Sequence, residues 1–167
     1  MANEPFFYYR TDTTEASDPG FADPADLPAN QKLVFEGVGQ EVADSFKFLG
    51  KNRIAGGTIP QPDGASVVEA EHIGRESARI EVKGYIRDSA EELKLLAFFN
   101  APQQEGKHVK GRFGLKVPLH AAYDIDPTPT VGLIFEDVET ETLTKKESIA
   151  SFRTVLLING TLVKALP

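Results

Sequence analysis

The segment Ile80–Gly114 constrains the fold more than any other part of this sequence, because one well-marked helix there separates two strand-like patterns. The run "ARIEVKGYI" alternates apolar and polar residues, which predicts a half-buried strand. Gly84 lies inside this run and predicts a bulge or a close backbone approach. After the helix, "HVKGRFGLKVPL" predicts a strand with a glycine kink. Short strand-like runs fill most of the remaining chain. We therefore expect a mainly β fold, a barrel or a sandwich, with one flanking helix at about residues 88–100.

The predicted helix has a recognisable signal at each end. Asp88 is a favourable N-cap residue, and Glu91 three positions later completes an Asp-x-x-Glu capping box. Asn100 is suited to a left-handed C-terminal conformation, and Pro102 is expected to prevent continuation of the helix. We therefore expect the helix to begin after Asp88 and to end near Asn100.

The apolar residues of this helix follow helical spacing and predict the face that packs on the barrel or sandwich wall. Three of them form the centre of the stripe and three widen it: Leu93, Leu96 and Ala97, with Leu95, Phe98 and Phe99. The Glu and Lys side chains are expected to point outward. The helix is thus interpreted as a brace with a buried apolar stripe.

Several shorter patterns complete the predicted secondary structure. The run "DSFKFLG" places Phe46 and Phe48 on one face of a strand, and "SVVEAEHIG" predicts another strand. Between them, "KNRIAGGTIPQPDGAS" contains Gly-Gly and Pro-Asp-Gly turn signals and predicts a loop over residues 50–66. Near the end of the sequence, Val131–Val138 predicts a strand with a polar extension, and "SIASFRTVLLING" predicts a long closing strand.

The composition is that of a folded, acidic protein without cysteine. Apolar residues make up 41% of the 167 residues and the formal net charge is −7, which is compatible with one core. Acidic residues outnumber basic ones by 25 to 18, so no sequence-specific nucleic-acid partner is predicted. The absence of Cys excludes disulfide scaffolds, Cys-zinc sites and thiol catalysis. No apolar run reaches the length of a membrane span, so no membrane partner is predicted.

Residues 1–30 differ from the rest and predict an extended N-terminal arm, with residues 31–167 forming a single β-rich domain. The arm holds four of the eleven prolines and six acidic residues against one basic residue, a composition that disfavours helices and central strands. Its aromatic cluster, Phe6, Phe7, Tyr8 and Tyr9, is costly to leave in water. The cluster is expected to dock on the parent domain or on a neighbouring subunit, and these four residues are our candidate inter-subunit contacts.

Patterns for catalysis are weak throughout the sequence. His72, His108 and His120 lack the i, i+4 spacing of a helical metal pair. Glu69 and Glu71 share a strand face and could serve as acid and base, but a polar strand face explains them more simply.

Asp124 and Asp126 offer two carboxylates on one face of an extended segment, which are ligands that hard cations prefer. No EF-hand loop surrounds them, so a solvated turn is the simpler interpretation, and cation binding by the pair is left open. We predict no catalytic residue, no cofactor and no metal site, and hence no enzyme.

The order of elements over roughly residues 59–160 resembles that of small tail-assembly proteins of long-tailed and contractile phages. The resemblance is carried by "IPQPDGASVVEAEHIGRESARIEVKGYI", "SAEELKLLAFF", "KGRFGLKV", "IFEDVET" and "SFRTVLLING". Such proteins include tail tube proteins, tail terminators, distal tail proteins and the tube-like domains of baseplate hubs. The resemblance implies a barrel or sandwich with a flanking helix, assembled into rings around a tail axis.

A structural role in a virus or phage-like tail is therefore expected, in the tube, the terminator or a baseplate ring. The implied partners are copies of the chain in a homo-oligomeric ring and other virion tail or baseplate proteins, and the implied location is the virion, after assembly in the host cytoplasm. Unpaired strand edges would agree with ring assembly by edge augmentation. Two alternatives stay open: a capsid-associated decoration or connector protein, and a β-barrel module that binds a ligand such as carbohydrate. Functional contacts are expected at the strand edges, in the 50–66 loop and in the aromatic arm.

Overall fold

A computed structural model describes residues 4–10, 23–38, 42–60, 66–75, 77–105, 111–127, 131–144 and 149–160. The described residues form ten β-strands and three α-helices. The strands are β1 (Phe6–Tyr9), β2 (Lys32–Val34), β3 (Glu36–Gly37), β4 (Phe46–Leu49), β5 (Asn52–Pro60), β6 (Ser66–Arg75), β7 (Arg79–Ile86), β8 (Phe113–Lys116), β9 (Gly132–Thr144) and β10 (Ile149–Asn159). The helices are α1 (Val42–Ser45), α2 (Ser89–Phe99) and α3 (Ala101–Glu105).

Eight of the strands form one antiparallel sheet. Its order is β2-β1-β8-β9-β10-β7-β3. Strand β4 pairs with the same side of β7 as β3 does, at a different position along that strand. The strands β2 and β3 flank the single residue Phe35, so one short segment pairs with β1 at one end of the sheet and with β7 at the other. The sheet therefore curls back on itself without forming the continuous ladder of a closed barrel. The predicted class, mainly β with a flanking helix, is confirmed.

The core inside the curled sheet is dominated by aromatic side chains. Phe7 lies at its centre, with its ring centroid 4.9 Å from that of Phe35 and 5.2 Å from that of Phe135. The remaining buried rings of the cluster are Phe46, Phe98, Phe113 and Phe152. Aliphatic residues that alternate along β7, including Ile80 and Val82, complete this core as the sequence predicted.

The aromatic cluster docks on its own domain, which is the first of the two predicted alternatives, but it does so as a strand of the sheet and not as part of an extended arm. Phe6–Tyr9 form β1, which lies between β2 and β8 inside the sheet. Phe7 and Tyr8 are fully buried within the chain, so their side chains are not inter-subunit contacts. Composition suggested an arm because the prolines and acids surround the cluster, whereas four adjacent large rings stabilise a strand that is covered on both faces. Residues 1–3 and 11–22 of the predicted arm lie outside the described residues.

The helix α2 begins where the sequence predicted, but its end differs. The Asp88 side chain accepts a hydrogen bond from the Ala90 N–H, as expected of an N-cap. The Glu91 carboxylate does not close a capping box, because it accepts from the Val34 N–H and pairs with Lys94 at 2.6 Å. The backbone of Asn100 has a right-handed helical conformation rather than the predicted left-handed one. The short helix α3 follows it, with Pro102 in its first turn. Proline is tolerated there because the first N–H groups of a helix have no intrahelical partner.

The predicted buried face of α2 is largely wrong. Leu95 and Phe98 are buried, whereas Leu93, Leu96 and Phe99 are 67%, 41% and 38% exposed. The rotation of the helix is set by Phe98, whose ring packs against the core, and by the Lys94 ammonium, which donates to the backbone carbonyls of residues 29 and 32. Leu93, Leu96 and Phe99 therefore form an exposed apolar row on α2.

Gly84 confirms the predicted close backbone approach. A Cβ atom at this position would collide with the Glu36 carbonyl oxygen and would lie 2.9 Å and 3.0 Å from the rings of Phe35 and Phe152. The absence of a side chain therefore lets β3 and the aromatic core reach β7 at the same point.

The predicted loop over residues 50–66 is wrong for most of its length. Strand β5 occupies Asn52–Pro60 and pairs with β6 in a separate two-stranded antiparallel sheet. Only residues 61–65 between the two strands lie outside the description. The Gly-Gly and Pro-Asp-Gly sequences predicted a loop, but the pairing of β5 with β6 outweighs these weak local preferences.

The central position of Phe7 predicts a large stability loss on truncation. We expect Phe7→Ala to lower the free energy of unfolding by about 3–5 kcal/mol, because it removes apolar contacts and leaves a cavity between buried rings. Urea unfolding followed by circular dichroism measures the loss. The matched control is Leu119→Ala at a side chain that is 67% exposed, where we expect a change within about 0.5 kcal/mol. Equal losses in the two variants would contradict the central role of Phe7.

Candidate interaction surfaces

The two carboxylates that the sequence singled out as cation ligands are engaged by protein groups. Asp124 accepts from the Val117 N–H at 2.7 Å and pairs with the Lys116 ammonium at 2.9 Å. Asp126 accepts from the Tyr8 hydroxyl at 2.5 Å and pairs with the Arg10 guanidinium at 3.1 Å. These contacts attach the segment around Ile125 to β1 and β8, so a structural role accounts for both acids.

Tyr8, Arg10 and Asp126 form a polar anchor at the end of β1. The Arg10 guanidinium also lies over the Tyr8 ring, 5.6 Å from its centroid, where the ring quadrupole attracts a cation. Burial and the hydrogen bond to Asp126 both raise the pKa of Tyr8, so its hydroxyl stays a donor. A Cβ atom on Gly114 would collide with the phenol, so the glycine gives this side chain its path across β8.

The other candidate acid–base and metal residues do not come together in the described parts of the chain. His120 is exposed and precedes a short 3₁₀ helix, Ala121–Tyr123. Glu69 and Glu71 lie two positions apart on β6, opposite residues 57 and 55 of β5, and their side chains are outside the description, as are that of His72 and all of His108. Among the described residues, no group of three or more His, Asp or Glu side chains is placed to hold a metal ion.

The outer face of the sheet carries a network of charges. Arg153 on β10 lies between Glu81 on β7, at 3.1 Å, and Asp137 on β9, at 3.6 Å. Lys83 also approaches Glu81, at 3.5 Å. The hydrogen bond from Arg153 holds the pKa of Glu81 below its ordinary value, with support from the positive charges of Arg153 and Lys83. The network links the outer faces of three neighbouring strands.

An open groove of about 500 Å³ lies beside this network. Its polar lining includes Lys83, Tyr85, Glu141, Ser151 and Arg153. The two basic groups already pair with Glu81, and the remaining groups carry mixed charge and polarity. The groove therefore offers no cluster of one chemical type that would identify a ligand.

Among the described residues, β4 and most of β9 have a strand partner on one side only, as do the short terminal strands β2 and β3. The strands β4, β7, β10 and β9 lie side by side in that order. The described pairing of β4 is with β7, and β9 pairs with β8 through the single residue pair Leu133 and Phe113. Within the described part of the chain, the far side of β4 and the side of β9 beyond Leu133 therefore have backbone N–H and C=O groups without a strand partner, and another strand can bind such groups.

The two edges differ in charge. The β4 edge presents the exposed side chain of Lys47, and Lys51 lies two residues after the strand. The β9 edge presents Asp137, Glu139 and Glu141, of which the first two have side chains that are 56% and 68% exposed. Apolar surface accompanies the basic edge, since Phe48 and Leu49 are 52% and 39% exposed.

The sequence predicted contacts at strand edges without identifying the edges. The alternation of acids in "EDVETE" was the available signal, because residues two apart share a strand face. It could not show that the described pairing of β9 with β8 is limited to Leu133, since that pairing depends on how the sheet curls.

No protein-family model and no curated protein matches this sequence. None of the helices in the described ranges is both long enough and apolar enough to cross a membrane. The role of the surfaces must therefore be inferred from their geometry and charge.

The polar anchor predicts strong coupling between Tyr8 and Asp126. In a double-mutant cycle of Tyr8→Phe and Asp126→Ala, we expect a coupling free energy of about 1.5–3 kcal/mol, the range for hydrogen bonds to charged groups. Urea unfolding of the four proteins measures it. The same cycle with Tyr85→Phe, a half-buried tyrosine on the outer face, is the control and should give a coupling within about 0.5 kcal/mol. A similarly small value for Tyr8 would refute the anchor.

The charge network predicts a pH dependence of stability. Because the pKa of Glu81 is lowered in the folded state from the ordinary 4.5, its stabilisation is present above pH 4.5 and is lost as the pH falls through the folded pKa. We expect Glu81→Gln to be less stable than the wild type at pH 7 and to lose less stability on acidification. Urea midpoints between pH 7 and pH 3 measure this, with Glu141→Gln, an exposed acid on the outer face of β9, as the control. Identical acid slopes for Glu81→Gln and the wild type would contradict the assignment.

Proposed function

We propose that this chain is a structural subunit of a virus or phage-like tail, in the tube, the terminator or a baseplate ring. In this proposal it assembles as a homo-oligomeric ring, contacts other tail or baseplate proteins in the virion, and has no catalytic role. The observation that carries the proposal is the pair of sheet edges, β4 and β9, which have no further strand partner within the described ranges and lie on opposite sides of the same four strands.

Two edges without a described strand partner on one sheet favour assembly over a monomeric role. An edge strand binds other strands through its backbone, so natural monomers cover or shorten such edges. Strand β9 continues to Thr144, so this edge is long. A contact between unlike edges leaves one edge of each kind free at every step, and it closes into a ring if the rotation between copies permits.

The separate β5–β6 hairpin supports the same proposal. A two-stranded antiparallel sheet is marginally stable alone in water, and this one forms its own sheet apart from the eight strands. A ring or a stack of rings would give such a hairpin further surfaces to contact. The resemblance to tail-assembly proteins implies assemblies of this kind.

Images of the purified protein test the proposed function. We expect light scattering to give a mass of several subunits at high protein concentration, and negative-stain electron microscopy to show rings or stacked tubes with a central opening. A protein that stays monomeric at all concentrations would contradict the proposal. Monomers that bind immobilised glycans would instead support the carbohydrate-binding module.

A further inference from the structure

We propose that the contact between copies is heterologous: the β4 edge of one copy pairs antiparallel with the β9 edge of the next. We call this contact the β4–β9 seam. The inference rests on the proposed ring assembly, and it specifies which surfaces meet and in which orientation.

Strand directions allow this seam in a ring. Each neighbouring pair among β4, β7, β10 and β9 is antiparallel, so β4 and β9 run in opposite directions. Rotation about an axis parallel to the strands preserves their directions. The β9 edge of a rotated copy therefore meets β4 in the antiparallel orientation. The sheet then continues from copy to copy with every pair of neighbouring strands antiparallel.

The outer face of the seam brings opposite charges together. Lys47 lies opposite Glu81 in the sheet, which places its exposed side chain on the outer face. Glu139 lies opposite Arg153 and Glu141 opposite Ser151, which places both acids on the same outer face. Edge-to-edge pairing therefore sets Lys47 of one copy beside the acidic row of the next, an arrangement that favours correct pairing and register.

The inner face of the seam covers apolar surface. Phe46 and Phe48 lie opposite Val82 and Ile80, which are buried, so both phenylalanines point to the inner face. Phe46 is buried within its own chain, but Phe48 is 52% exposed. Helix α2 packs against β9 on the inner side of the sheet, so a neighbouring β4 strand would bring Phe48 to the side of the seam that α2 occupies. One face of the seam is thus polar and the other apolar.

Self-pairing of like edges is disfavoured by the same charges. Two β9 edges related by a twofold axis would place Glu139 and Glu141 beside the acids of the partner copy. Two β4 edges would place Lys47 beside its own counterpart. Like charges that face each other across strands are destabilising, so the charge pattern selects the unlike pair of edges.

The seam is short and gains strength from ring closure. The four residues of β4 offer about four backbone hydrogen bonds to a neighbouring strand. In a closed ring each copy is held by two seams, so the loss of one subunit requires both to break. We therefore expect assembly to depend steeply on protein concentration and on salt.

Charge reversal at each edge tests the seam. We expect K47E to weaken assembly about tenfold or more, because it makes both edges acidic, and E139K/E141K to do so by making both edges basic. Mixing the two variants should restore assembly, since each β4 edge then meets a β9 edge of opposite charge. The triple variant K47E/E139K/E141K should also assemble. The matched control is K83E, on the same outer face but on β7, outside the four residues that pair with β4, and it should assemble as the wild type does. Circular dichroism verifies that each variant is folded.

Carbodiimide coupling of unmodified protein provides a second readout. Within one chain, Lys47 and Glu139 are separated by three strand spacings, roughly 14 Å, which is too far for a zero-length amide link. Assembled protein mixed from ¹⁴N and ¹⁵N subunits should give mixed-isotope links from Lys47 to Asp137, Glu139 or Glu141. Rings that lack these links and persist in K47E would overturn the seam and leave the proposed function standing. A wild-type protein that never assembles would overturn both.

Discussion

The structure depends on the burial of Phe7 among the aromatic rings of the core. Phe7 belongs to β1, and its ring contacts those of Phe35 and Phe135 from two other parts of the sheet. Because Phe35 is the residue between β2 and β3, the same cluster fixes the segment that joins the two ends of the sheet. Aromatic packing of this kind combines a large apolar area with preferred ring geometries, so it determines both stability and curvature.

The opposite face of β1 shows how a polar group is buried at low cost. Tyr8 crosses β8 over Gly114 and donates to Asp126, which also pairs with Arg10. A buried hydroxyl without a partner would destabilise the fold, whereas this one is satisfied by an acceptor that stays partly exposed. The strand is therefore covered on both faces, by rings on one side and by a polar anchor on the other.

The curvature that closes the core also creates the surfaces proposed for assembly. Among the described residues, β8 pairs with β9 only at Leu133, so the acidic half of β9 is an edge there, while β4 ends the same four strands on the other side. Charges on both edges limit indiscriminate pairing, and their opposite signs favour one orientation. The proposed β4–β9 seam therefore rests on where the described strands stop pairing.

The sequence by itself determined the local features: the strand alternation around Ile80, the N-cap at Asp88, the close approach at Gly84 and the mainly β class. Only the tertiary structure decided that β1 enters the sheet, that residues 52–60 pair with β6, and that Leu95 and Phe98 form the buried face of α2. The acids of β9 were visible as a pattern, but their place at an edge was not. The reason is physical: caps and alternation act between residues close in sequence, whereas strand partners and buried faces are set by contacts between distant segments.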